Sequence, residues 1–228
     1  MKNWFPLTSY DFYAYLTAGM VVLAAYDRGF MGSSLAYQQW TVAGGVFWAA
    51  VAYLLGQIVA MPSAVLLEHL LARRFLRPPT DIILGLDRPR WRERIIARVS
   101  GAREYEPFPA ANRTRILEKL GKALNVLPTA VEGEAAFECA FPHARSVADS
   151  ATRLDNFLNQ YGMCRNVSFA SLLAAAILGL SEWRIHDSKT TAFAIGALIL
   201  AIGLFLRFVK FYAAYARELF RAYDKCAS

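Results

Sequence analysis

From Trp40 to Leu67 the chain carries no Asp, Glu, Lys or Arg. At about 1.5 Å per residue, a helix over this run is a rod of roughly 40 Å, longer than the hydrocarbon layer of about 30 Å. A stretch like this has no place on the surface of a soluble domain, and it predicts a membrane helix that tilts, kinks at Pro62 or projects into the cytoplasm. Three shorter apolar runs accompany it: Phe12 to Ala25, extended past Asp27 and Arg28 to Met31; Val167 to Leu180; and Thr190 to Leu206. Trp4, Phe5 and Tyr10 give the first of these interfacial length. With 56% apolar and 19% charged residues the chain is not disordered, and the charges concentrate between the runs. The expected fold is all-α: an integral membrane protein with four transmembrane helices and a helical cytoplasmic insert between the second and third. Residues 1–70 hold the first two spans, 71–165 the insert, and 166–228 the last two spans with a cytoplasmic helical tail.

Orientation follows from the basic residues. Residues 71–165 hold 16 Lys and Arg against 11 Asp and Glu, whereas Asp27 to Gln39 and the Ser181 to Lys189 connection are poor in net charge. By the positive-inside rule both termini and the insert are cytoplasmic, in a bacterial inner (plasma) membrane. No charged leader with a small-residue cleavage site precedes the first run, so it is expected to stay as an anchor. The short last connection implies an antiparallel helical hairpin.

Within the insert, Arg90 to Val99, Ala110 to Leu124 and Ala144 to Tyr161 read as helices; the third either ends at Gly162 or runs on into the third span. Thr80 to Leu86 reads as a short extended stretch. Beyond Arg207 the tail continues the fourth span, and Phe211, Tyr212, Tyr215, Leu219, Phe220 and Tyr223 suit it to pack on the insert.

Small residues mark the second span, with Ala52, Gly56 and Ala60 at every fourth position and Gly45 and Ala49 above them; Gly196 occupies a similar place on the fourth. Such residues let helix backbones approach closely in lipid, either inside one bundle or between subunits. Polar groups near the bilayer are the sharper signal. They are Asp11 and Thr17 on the first span, Gln57 and Ser63 on the second, and Glu68 and His69 beside it. Gln57 and Glu68, three turns apart, lie near one face of an ideal helix and would line a path or hold an interhelical contact; pairing of Glu68 and His69 with Arg73 or Arg74 is the simpler alternative. Glu68 with His69 also admits an acid–base reading.

Arg73, Arg74 and Arg77 follow the second span, and Arg88, Arg90, Trp91, Arg92, Arg94 and Arg98 crowd one short helix. This run suits anionic headgroups, a cytoplasmic protein partner or nucleic-acid phosphates, or it serves only as a solvated face that sets topology. Cys139, Cys164 and Cys226 are scattered and read as reduced thiols, with no metal spacing and no cofactor motif. His143 and His186 are isolated, and nucleophile-elbow, nucleotide-loop and zinc-protease motifs are missing, which points away from an enzyme.

Four spans, an insert after the second, a tight last hairpin and a Tyr10-Asp11-Phe12 start resemble the small tetraspan membrane subunits of bacterial antiphage systems, such as the membrane subunit of Kiwa. The resemblance is one of layout over the whole chain, and it carries no functional residue across. It implies a homo-oligomeric inner-membrane protein that senses or executes membrane damage beside a cytoplasmic partner. Three functions are expected in order: a non-enzymatic pore or gated platform, an anchor that recruits protein, anionic lipid or nucleic acid through its basic insert, and an intramembrane enzyme using Glu68 and His69.

Overall fold

The computed structural model describes residues 12–101, 105–185 and 187–226. Asp11 and His186 lie outside the described residues, as do the side chains of Arg73, Arg74, Arg184 and Cys226. The described residues form helices and no strand. A π-helical turn, Phe12–Leu16, leads into α1, Thr17–Phe30, followed by the short α2, Ser34–Tyr37. Helix α3 spans Val42–Ser63, and the backbone continues without a break as a π-helix over Ala64–Phe75. Then come α4, Pro79–Ile83; α5, Trp91–Ser100; α6, Ala110–Leu124; and α7, Gly133–Ser146. Two long helices close the chain, α8 over Ala148–Ile185 and α9 over Ser188–Cys226.

Three of these stretches are long and apolar enough to cross a membrane: Val42–His69, Ala148–Trp183 and Ser188–Lys225. Pro62 sits inside α3, and the π-helix starts just past it. Proline supplies no N–H to the carbonyl one turn below, and the wider π turn takes up the mismatch. Helix α8 runs straight through Gly162, so of the two alternatives for that position the continuous one holds. Between α8 and α9 only two residues intervene, so the hairpin is tighter than the Ser181 to Lys189 loop read from sequence.

The chain divides into two compact units. The first comprises residues 1–69 and 162–205. Its tightest crossing is backbone on backbone: a β-carbon on Gly19 would lie 1.6 Å from the Ala52 carbonyl oxygen, and one on Gly56 would lie 1.8 Å from that of Tyr15. Only a hydrogen fits at either place, so α1 and α3 meet at a separation that glycine alone permits. Around this crossing Ala18, Val59, Leu67, Val167, Phe169 and Ala170 form one apolar cluster, and Ala25, Ala174 and Leu178 form another. The end of α1 is held by polar contacts. Asp27 is buried and its carboxylate accepts from the Leu35 amide at 3.0 Å, while Ser181 Oγ donates to the Gly29 carbonyl at 2.7 Å. Arg28 pairs with Asp187 at 2.5 Å. Hydrogen bonds from Thr190 Oγ1 and the Lys189 amide hold the Asp187 carboxyl below its ordinary range, with the Arg28 charge helping.

The second unit comprises residues 70–161 and 206–228. Its core joins Ile83, Leu84, Phe108, Ile116, Leu120, Ala136, Ala140 and Leu154 to Tyr215, Leu219, Phe220 and Tyr223 of α9. The tail is therefore a core helix of this unit. Its polar edge is paired too: Asp224 binds Arg115 and Lys119, Glu218 pairs with Arg153 at 3.2 Å, and Arg217 donates to the Glu106 carbonyl at 2.8 Å. Helix α6 has the limits its periodicity predicts. Two sequence readings are corrected. Residues 80–86 are not extended: Pro79 starts a helix, with proline in its first turn where no N–H is needed. The helix expected from Ala144 is two helices, α7 ending at Ser146 and α8 starting at Ala148, because Val147 takes an extended backbone conformation. Leu219 is fully buried, so Leu219→Ala is expected to cost this unit about 2–5 kcal/mol, read as earlier thermal unfolding in nanodiscs.

Candidate functional site

Two clusters of side chains stand out, one in each unit. In the first unit, the end of the α3 rod faces the middle of α8 through charged and polar groups. Arg165 donates to Glu68 at 2.5 Å, and both side chains are largely withdrawn from solvent. The same guanidinium lies 3.3 Å from Asn166 Oδ1, which also sits 2.7 Å from Ser63 Oγ. Ser63 Oγ is 2.8 Å from the Ala60 carbonyl as well, so its single hydrogen goes to one of two acceptors. Ser63 and Asn166 are fully buried, and the Asn166 amide nitrogen has no partner among the described residues. A buried ion pair with shared hydrogen bonds fixes register at the cost of desolvation. Chemically, this cluster holds two helices together.

The polar residues singled out in the sequence fall in three different surroundings. Gln57 is exposed, Ser63 is buried against α8, and Glu68 makes an interhelical contact with Arg165. From Ala64 on the π-helix takes more residues per turn, which shifts Glu68 round the axis relative to the place an α-helix would give it. His69 is exposed. Of the small residues, Ala52 and Gly56 make the crossing with α1, Ala60 is half-buried, Ala49 is exposed, and Gly45 and Gly196 have open space where a β-carbon would stand. Gly19, Arg165 and Asn166 escaped the sequence reading. An acid and a base at the same end of two apolar runs was the available sign for Glu68 and Arg165.

The second cluster is α5. Pro89 and an extended Arg90 precede it, and Gly101, in a left-handed conformation that favours glycine, ends it. Its one fully buried residue is Glu93: one carboxyl oxygen accepts from the Arg77 amide at 3.2 Å, and the other has no partner among the described residues. Arg77 also pairs with Asp87 at 2.6 Å, so this arginine serves the fold of the unit. Tyr105 is buried too; burial pushes its phenol far above the ordinary range, and Tyr212 and Glu93 add to that.

With Glu93 inward, α5 turns an apolar stripe outward. Trp91, Ile95 and Val99, at four-residue spacing, are 68%, 51% and 64% exposed. Exposed Arg88, Arg90, Arg94 and Arg98 flank them, and Arg92 lies over the Trp91 ring at 6.0 Å. A Trp-led apolar stripe bordered by arginines is the pattern of a helix that lies in a lipid headgroup layer. Compared with protein-family models, curated proteins and solved structures, the chain matches none.

Proposed function

We propose that this chain is a non-enzymatic multi-pass membrane protein that acts as a platform, displaying α5 to anionic lipid on the cytoplasmic side of a bacterial inner membrane. The observation that carries this reading is the exposed Trp91, Ile95 and Val99 stripe between arginines. Three helices are long and apolar enough to span; the helix from Phe12 to Phe30 is proposed as the fourth span, with both termini in the cytoplasm. The basic bias of residues 71–165 supports that orientation. Each arginine close to an anionic leaflet contributes roughly 1 kcal/mol, and the indole adds apolar burial at the interface. A setting of stress or phage attack, with a cytoplasmic partner, draws on the likeness in layout alone.

Lipid-depth quenching tests this reading. In nanodiscs with anionic brominated lipid, Trp91 fluorescence, obtained by subtracting the Trp91→Phe signal, is expected to be strongly quenched. Arg90→Glu, Arg94→Glu and Arg98→Glu together should abolish the quenching while the protein still assembles. Equal quenching in zwitterionic lipid, or in the triple variant, would sink the proposal. A pore between copies is the second reading, favoured by the exposure of Gln57 on a spanning helix. Ion flux in liposomes that Gln57→Leu removes would support it.

A further inference from the structure

Helix α3 has two sides. One carries Ala52, Gly56 and Val59 into the bundle, and the other is exposed along its length. On the exposed side Ala43, Ala50 and Gln57 recur every seventh residue, and Phe47, Leu54 and Met61 recur at the same interval between them. The alternating steps of three and four are those of a helix seam that winds left-handed around a like partner, with small residues letting the backbones close and large ones filling the gaps. Gln57 is the polar member of this seam, and it lies near the middle of the Val42–His69 span. Hydrocarbon offers an exposed amide no hydrogen-bond partner, so a polar group from another helix is required to satisfy it.

We propose that this face of α3 binds the same face of a second copy of the chain. The inference rests on the membrane reading above. All copies insert in one direction, so their α3 helices run parallel and equal depths meet. Gln57 of one copy then stands opposite Gln57 of the next, and an amide, having both donor and acceptor, is complementary to itself. A lipid tail would satisfy Phe47, Leu54 and Met61 but not Gln57, and a different protein would need its own polar group at this depth. The second copy meets both conditions with residues already on the page.

Disulfide trapping in native membranes tests the seam. In a chain whose cysteines at 139, 164 and 226 are replaced by Ala, Ala50→Cys and Gln57→Cys are expected to give a covalent dimer under mild oxidation. Leu180→Cys and Leu198→Cys, on other exposed helix faces, should not. In vesicles, dilution of fluorescently labelled chain should show Gln57→Leu associating roughly 3- to 20-fold more weakly, while Gln57→Asn keeps most of the affinity. Trapping at 180 or 198 but not at 50 would overturn the proposal, as would unchanged association of Gln57→Leu. Release of the chain by alkaline carbonate would instead overturn the membrane reading and the seam with it, whereas an integral chain that is not trapped loses the seam alone.

Discussion

Gly56→Ala is expected to drive the first helix off the second. The added methyl would sit 1.8 Å from the Tyr15 carbonyl oxygen, and Gly19→Ala would put one 1.6 Å from that of Ala52. No side chain is there to swing aside; backbone has to move, so the cost should exceed the roughly 1–3 kcal/mol of ordinary overpacking. Moving α1 also strips cover from Ala18 and from the cluster around Val59 and Val167. The measurement is thermal unfolding in nanodiscs, with protease sensitivity at the α1 end of the chain as a second readout. Gly196→Ala, made where a β-carbon meets open space, should leave both unchanged. A stable Gly19→Ala, Gly56→Ala double variant would show that the two backbones do not touch at this crossing.

The second large effect belongs to Arg165. Arg165→Met leaves Glu68 enclosed without the guanidinium that binds it at 2.5 Å and removes both contacts to the Asn166 oxygen. Breaking a buried pair from one side typically costs about 3–5 kcal/mol, because the remaining charge stays desolvated. Removing both charges is a different experiment. Glu68→Gln with Arg165→Gln should recover much of the loss, since no charge is then stranded. The check is a double-mutant cycle on unfolding free energy. Near-additive single and double variants would mean that the pair is solvated and contributes little.

Much of this was legible from residue order. The uncharged run from Trp40 to Leu67, the clean period of Ala110 to Leu124 and the aromatic spacing of the tail each report a helix face through local pattern alone. Gly56 and Ala52 stood out for the same reason. What stayed hidden depends on distance along the chain. Glu68 and Arg165 are 97 residues apart, and no local pattern ties one to the other. Gly19 gains meaning only once its partner is known to be the Ala52 carbonyl. Helix α7 was missed because Gly133 and Pro142, both poor helix residues, disguise it; in place, Gly133 comes so near Asp81 that a β-carbon would strike the carboxylate. The change of period past Pro62 was not legible either, because a π-helix leaves no hydrophobic pattern distinct enough to separate it from an α-helix over three turns. The outward stripe of α5 was half visible: its arginines were plain, but the inward turn of Glu93, which aims Trp91, Ile95 and Val99 away from the core, was not.

The crossing at Gly19 and Gly56 also governs how such a protein can drift. Where two helices touch through backbone atoms, the demand for identity falls on two positions, and the surrounding apolar residues need only keep their volume as lineages diverge. Ancestry is then recorded in spacing more than in similarity. A glycine at matching depth in each of the first two apolar runs, with an acid closing the second run and an arginine opening the third, is the signature by which distant kin of this chain are to be sought.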